Sequence, residues 1–203
     1  MDSKKNSRAS IKAFLNTVDT AYFKTCGSLA ADKLVREDFW QNAERVLLFI
    51  SMKREIDTSL LLSYAFEQKK KVYIPRIEGE EIEFYRILDK DFPSTQNAYG
   101  CIEPLSGQKL EQGGDTVLIV TPGLAFDLRG NRLGRGKGYY DRFFARLYSP
   151  CFKVGFCLAE QVVKELPVDD LDWPVNALVT SEGFRKTEVL EKPQLVEDRK
   201  SVV

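Results

Sequence analysis

Residues 121–142 read Thr-Pro-Gly-Leu-Ala-Phe-Asp-Leu-Arg-Gly-Asn-Arg-Leu-Gly-Arg-Gly-Lys-Gly-Tyr-Tyr-Asp-Arg. Five glycines (Gly123, Gly130, Gly134, Gly136, Gly138) and five basic residues crowd this stretch. It fills the gap between an apolar run, Thr116–Val120, and an aromatic-rich helical pattern, Tyr139–Tyr148. Glycines let a backbone approach a ligand closely and adopt positive φ. A helix start aims free N–H groups and a partial positive charge at the same place. Strand, glycine-rich loop and helix in succession therefore describe an anion cradle suited to the phosphates of a nucleotide.

The flanking sequence extends the same alternation. Ser10–Leu15 and Ser28–Asn42 carry apolar residues at helical spacing, with Leu29, Leu34, Val35 and Phe39 in the second. Val46–Ile50 reads as a buried strand. Asp57 or Thr58 caps a helix whose inner face is Leu60, Leu61, Tyr64 and Ala65. Lys71–Ile77 is a second strand, and Ile82–Leu88, after Gly79, is a hairpin-like or edge element. Thr116–Val120 is a third core strand. The helix at Tyr139 presents Tyr140, Phe143, Phe144 and Leu147 on one side and ends by Pro150. Lys153–Cys157 is a strand, Glu160–Leu166 a short helix and Ala177–Thr180 a last strand. Strands alternating with helices predict a single α/β domain over residues 1–203, a mostly parallel doubly wound sheet with helices on both faces. Residues 184–203 form a charged, loosely docked tail. Such sheets bind ligands at the carboxyl ends of their strands, where the glycine-rich loop falls.

Composition narrows the chemistry. The 203 residues carry 30 Lys+Arg and 30 Asp+Glu, so the formal net charge is zero. A neutral chain lacks the broad positive field of a sequence-independent nucleic-acid binder, and a local basic loop points to a small anionic ligand. Cys26, Cys101, Cys151 and Cys157 are widely spaced without a C-x-x-C pair, which reads as reduced thiols. The polar N-terminus has no signal-peptide core, and no apolar run is long enough to span a bilayer. A soluble, cytoplasmic, monomeric protein is expected. There is no histidine. Imidazole catalysis and His-ligated metals are thereby excluded, and chemistry must rest on carboxylates, Lys, Arg, Tyr, backbone amides or a bound metal.

The loop matches neither common phosphate motif. A Walker loop requires a Ser or Thr after its Lys, and Gly138 follows Lys137. The dinucleotide fingerprint requires Gly-x-Gly-x-x-Gly, and the spacing here is Gly134-x-Gly136-x-Gly138. Arg135 and Lys137 alternate with those glycines, so amides and cations together surround one polyphosphate. The bland alternative is a flexible basic surface loop.

Pro122–Asp127, Gly130 and Arg132–Arg142 closely resemble the signature of 5-formyltetrahydrofolate cyclo-ligase, also called 5,10-methenyltetrahydrofolate synthetase. Glu55-Ile-Asp-Thr58, Ile74-Pro-Arg76, Tyr99-Gly100 with Glu103-Pro104, Leu166-Pro167 with Asp172, and Val179-Thr180 resemble further elements of that family, in its order, over roughly residues 46–183. The resemblance implies an ATP- and Mg²⁺-dependent enzyme. ATP phosphorylates the formyl oxygen of 5-formyltetrahydrofolate, N10 attacks the activated carbon, and phosphate leaves. The products are 5,10-methenyltetrahydrofolate, ADP and phosphate. Such chemistry depends on positioning and charge neutralisation and needs no histidine.

The resemblance also implies roles for single residues. Arg132, Leu133, Gly134, Arg135, Gly136, Lys137, Gly138, Tyr139 and Tyr140 form the ATP loop, with Arg135, Lys137 and Tyr140 in the catalytic step. Asp141 and Asp172 are Mg²⁺ ligands; otherwise they are a helix-start charge and a solvated loop acid. Glu55 accepts paired hydrogen bonds from the pterin of the folate, which relatives also take in polyglutamylated form. Ile50 is a substrate contact or simply a buried strand residue, and Tyr139 and Tyr140 edge a ring or belong to the core. Lys4 and Arg8, four apart and so on one helical face, match a Lys and an Arg that reach the nucleotide. Ser7 and Leu171 depart from the family pattern, the first where an apolar residue is usual and the second where many relatives have a polar residue or histidine. The competing readings are a different enzyme on a related α/β scaffold and a non-catalytic nucleotide-binding module.

Overall fold

The computed structural model describes residues 2–189. In chain order the elements are α1 (Asp2–Thr17), α2 (Thr20–Leu34), α3 (Asp38–Gln41), β1 (Arg45–Leu47), α4 (Ser59–Glu67), β2 (Lys71–Glu78), β3 (Glu81–Ile87), β4 (Ser94–Gln96) and β5 (Ile102–Pro104). There follow β6 (Val117–Thr121), β7 (Ala125–Asp127), β8 (Arg132–Leu133), α5 (Tyr139–Arg146), β9 (Cys151–Phe156), β10 (Val162–Val163), β11 (Ala177–Thr180) and β12 (Gly183–Lys186). The main sheet has seven strands in the order β12-β11-β9-β6-β1-β2-β3. Its inner pairs, β1–β2, β1–β6, β6–β9 and β9–β11, are parallel. Each edge is closed by an antiparallel strand, β3 on β2 and β12 on β11.

Side chains alternate across a strand, so a parallel sheet buried on both faces needs apolar residues at nearly every position. Val46 and Leu48, Val72 and Ile74, and Leu118 and Val120 join the core beneath α2 and α4. Leu47, Tyr73, Val117 and Ile119 face the other way and pack on Phe143, Phe144 and Leu147 of α5 and its end. Helices therefore cover both faces, in the mixed α/β architecture the sequence predicts. No helix among the described residues is long and apolar enough to cross a membrane.

Three expectations are corrected. The helix expected over Ser28–Asn42 begins at Thr20, stops at Leu34 and is followed by the separate α3. It buries Phe23, Cys26, Gly27, Ala30 and Ala31, while Leu29 lies outward at 47% exposure. The reason is close packing. A Cβ on Gly27 would lie 2.2 Å from the Asp57 carbonyl oxygen, so the small-residue face, not the leucine, meets the loop before α4. The helix expected over Glu160–Leu166 is a 3-10 turn, Ala159–Gln161, leading into β10 beside β7. Buried Gln161 accepts from the Leu158 amide at 2.9 Å and donates to the carbonyls of Gly123 (3.0 Å) and Leu124 (2.9 Å). Its amide thus ties the turn to the end of β6 instead of facing solvent from a helix. The expected loose tail contains β12, which extends the sheet; the part of that tail beyond residue 189 lies outside the described residues.

β1 leads to β2 on one side, and the chain then returns to place β6 on the other side of β1. The order reverses between β1 and β6, and such a switch point opens a crevice beyond the carboxyl ends of the strands. The segment after β1 carries Phe49, Ile50, Met52 and Glu55. The segment after β6 carries Pro122 and Gly123. All six line one cleft.

Candidate active site

The cleft has a volume of about 1070 Å³. Ligand pockets commonly fall between about 300 and 1,000 Å³, so this cleft is at the large end of that range. Every residue singled out from the sequence lines it: Lys4 and Arg8 of α1, Ile50 and Glu55 after β1, the whole run from Arg132 to Asp141, and Asp172.

The glycine-rich loop is shaped by its backbone. Gly136 and Gly138 have φ of 102° and 69°, in the left-handed region that side chains avoid. Gly138 is the N-cap of α5. The loop thus turns sharply into the helix and brings the first helical amides to the cleft, as the spacing required. Helix α1 lies against the loop: Arg8 Nε donates to the Gly134 carbonyl at 2.9 Å. At the far end of α1, Arg54 donates to the carbonyls of Leu15 (3.0 Å) and Asn16 (2.7 Å). The helix is pinned along the cleft between the loop and the Glu55 segment.

The charged residues are arranged as matched pairs. Arg135 donates to Glu55 Oε1 through Nη2 at 2.7 Å and Nε at 3.1 Å, while the Met52 amide donates to Glu55 Oε2 at 3.0 Å. Arg132 Nη2 lies 2.7 Å from Asp141 Oδ2, and Asp141 Oδ1 accepts from the Trp173 amide at 3.2 Å. Lys4 bridges Asp169 and Asp172. Burial pulls the Lys4 ammonium down, but its hydrogen bonds and attraction to the two aspartates outweigh this and raise its pKa. The same hydrogen bond holds the Asp169 carboxyl below the ordinary aspartate range. Lys137 is exposed, with its ammonium 5.5 Å from the centroid of the Tyr99 ring.

Other residues combine core and cleft roles. The Tyr140 ring packs edge-on to Phe84 and Phe144, at 6.2 and 5.8 Å between centroids. Among the described residues its buried hydroxyl has no hydrogen-bond partner, and neither does Arg132 Nε. Burial pushes the Tyr140 hydroxyl pKa up, so it stays protonated and able to donate. Ile50 lies beyond the end of β1 and is half-buried against the main core, so it is not the buried strand residue of one reading; it lines the cleft. Leu133, 2% exposed, packs on Ala125 and Leu166.

Sequence reasoning missed much of the wall. Lys12, one turn beyond Arg8, lines the cleft, as do Met52, Tyr99, Cys101, Glu103 and Trp173. The i, i+4, i+8 series Lys4, Arg8, Lys12 was a legible signal for the first. The others come from β5 and from loops; Tyr99 and Glu103 lie in an element the resemblance marked without giving it a role. For the two Mg²⁺ candidates the structure shows one shared cleft and no larger cluster: among the described residues, no group of three or more His, Cys, Asp or Glu is placed to hold a metal ion.

Comparison with known proteins agrees with this geometry. The pattern of the 5-formyltetrahydrofolate cyclo-ligase family matches residues 1–181. The probable 5-formyltetrahydrofolate cyclo-ligase of Schizosaccharomyces pombe is 37% identical over 158 residues, covering 70% of this chain and 78% of its own. The 5-formyltetrahydrofolate cyclo-ligase of Mus musculus is 29% identical over 190 residues, covering 87% and 93%. The solution structure of Aquifex aeolicus 5,10-methenyltetrahydrofolate synthetase superposes with a TM-score of 0.78 at 28% identity, over 97% of this chain and 98% of that one. A glycine-rich cationic loop facing a carboxylate across a switch-point cleft, within a chain matched almost end to end, places this protein in the 5-formyltetrahydrofolate cyclo-ligase family of enzymes.

Proposed function

We propose that the cleft converts 5-formyltetrahydrofolate to 5,10-methenyltetrahydrofolate while ATP is turned over to ADP and phosphate. The observation that carries this reading is the meeting of the phosphate-type loop with Glu55 in one cleft, through the Arg135–Glu55 contact. The loop suits a polyphosphate. A carboxylate accepting two hydrogen bonds suits the amino-pyrimidine edge of a pterin. Their contact supports a site in which the two substrates lie side by side.

In the proposed reaction the formyl oxygen takes the γ-phosphoryl group and the bond to ADP breaks. N10 then bonds to the formyl carbon, loses its proton, and phosphate leaves with the former formyl oxygen. Arg135, Lys137 and Arg8 neutralise phosphate oxygens, the α5 amides add fixed dipoles, and the Tyr140 ring lines the cleft beside them. The apolar wall of Ile50, Met52, Pro75 and Ile77 excludes water from the activated formyl group.

Asp141 and Asp172 fit Mg²⁺, a hard cation usually held by one or two carboxylates together with substrate phosphates. Both line the cleft, and each carries a cation, Arg132 or Lys4, whose neutralising charge the metal would share. Bound there, Mg²⁺ would supply charge neutralisation and alignment of the phosphates.

The test is turnover. Folded protein with ATP, Mg²⁺ and 5-formyltetrahydrofolate should generate the methenyl chromophore. Product no faster than in a protein-free control overturns the assignment.

A further inference from the structure

Glu103 has no role in the reaction described above, yet its setting is unusual for a carboxylate. It sits on β5, is only 7% exposed, and lines the cleft. Buried charges are normally paired with an opposite charge. The other cleft carboxylates with defined contacts are: Glu55 with Arg135, Asp141 with Arg132, and Asp169 and Asp172 with Lys4. Glu103 has no ion-pair partner among the described residues. Its two hydrogen bonds come from neutral donors and fall on one oxygen: Oε1 accepts from the Ile77 amide at 2.8 Å and from Asn97 Nδ2 at 2.6 Å. Nothing among the described residues donates to Oε2.

The two bonds on Oε1 lock the carboxylate in place. Ile77 is on β2 and Asn97 is in the β4–β5 hairpin, so Glu103 joins that hairpin to the main sheet. A carboxylate held by one oxygen presents the other in a fixed direction. Its position relative to Glu55 also follows: Cys101, two residues before Glu103 and itself on the cleft wall, has its Sγ 3.4 Å from Met52 Sδ, and the Met52 amide donates to Glu55. The two carboxylates therefore flank one end of the cleft, the end assigned to the pterin.

We propose that Glu103 is a second substrate-binding carboxylate, whose Oε2 accepts an N–H of the reduced pterin ring and selects reduced over fully oxidised folates. The inference rests on the folate reading of the cleft. Its chemical basis is the difference between the two ring states. A tetrahydropterin carries an N–H at ring position 8. In the fully oxidised ring that nitrogen is a lone-pair acceptor, which a fixed carboxylate repels. Sites built on a hydrogen bond reject the analogue lacking it, because a buried polar group is left unpaired.

The experiment is equilibrium binding of 5-formyltetrahydrofolate and of fully oxidised folic acid to the wild type, Glu103→Gln and Asn97→Ala. ATP binding is measured on each as a control. In Glu103→Gln the one amide oxygen cannot serve both the Ile77 amide and the ligand. The preference for the reduced compound should fall about tenfold, the scale of one charge-assisted hydrogen bond, with ATP affinity unchanged. Asn97→Ala removes one of the two bonds on Oε1 but leaves the Ile77 amide bond and Oε2 in place, and should keep most of the preference. An undiminished preference in Glu103→Gln overturns the proposal and leaves the folate reading standing. So does a preference lost equally in Asn97→Ala, or ATP affinity falling together with it, since either means that Glu103 only supports the hairpin. A wild type that binds neither compound refutes the folate reading itself, and this proposal with it.

Discussion

The Arg135–Glu55 pair makes opposite demands on the two substrates, and Glu55→Gln separates them. Glu55 has a side chain 14% exposed and Arg135 one 42% exposed, so water screens the pair from one side. Such a contact is worth roughly 1 kcal/mol. Gln keeps an oxygen for the Met52 amide, so folding stability should fall by no more than about 1 kcal/mol, a melting shift of a few degrees for a chain of this size. The effect on folate is larger. Two charge-assisted bonds to the pterin, each about 1.5–3 kcal/mol, become one neutral bond near 1 kcal/mol. Part of that loss is recovered because the wild type must first break the Arg135 contact to expose Glu55. The net loss is about 1–4 kcal/mol, or roughly 5- to 900-fold in affinity. ATP moves the other way. Arg135, freed from Glu55, is available to phosphate from the start, so ATP affinity should stay level or rise by up to about fivefold. Separate calorimetric titrations with 5-formyltetrahydrofolate and with a non-hydrolysable ATP analogue measure both. If ATP affinity falls in step with folate affinity, Glu55 merely holds Arg135 in place and the reasoning is refuted. Unchanged folate affinity refutes the pterin assignment directly.

Lys137→Ala removes an exposed side chain without an ion-pair partner among the described residues. Stability should hold within about 0.5 kcal/mol while ATP affinity drops about tenfold or more; equal affinity in the variant contradicts a phosphate role. Gly27→Ala places a Cβ 2.2 Å from the Asp57 carbonyl oxygen, and neither backbone can swing aside. Thermal unfolding should show a loss of about 1–3 kcal/mol, and an unshifted melting temperature contradicts the close approach of α2 to this loop. Acid should loosen α1. The Asp169 carboxyl is held low by the Lys4 hydrogen bond, so its stabilisation is complete above the ordinary aspartate pKa and is lost as pH falls through the folded value. Amide exchange in α1 should quicken over that range, and exchange in α1 that stays flat removes the Lys4 contact as its anchor.

The local grammar of the chain was legible without a structure. The Thr116–Val120 run, the glycines after it and the aromatic helix at Tyr139 specify strand, loop and helix through short-range preferences alone: burial of an apolar run, positive φ, helical period. They placed the loop at the carboxyl edge of a parallel sheet. Where the local signal was weak or misleading, it failed. Leu29 looked like a core residue because leucine usually is, but the fold spends the smaller face of α2 on a backbone contact. Glu160–Leu166 looked helical, but Gln161 is recruited by carbonyls 37 and 38 residues away in the chain.

The sequence by itself determined the cationic glycine loop, the absence of imidazole chemistry and the α/β alternation, because each depends on residue type and near neighbours. Only the tertiary structure decided which charges meet. Lys4 reaches Asp169 across 165 residues, Arg135 reaches Glu55 across 80, and Glu103 has no cation beside it among the described residues. Those pairings depend on strand order and on where α1 lies, and spacing along the chain carries no record of either. The loop's sequence is that of an anion cradle. The switch point between β1 and β6 decides what the anion is held against.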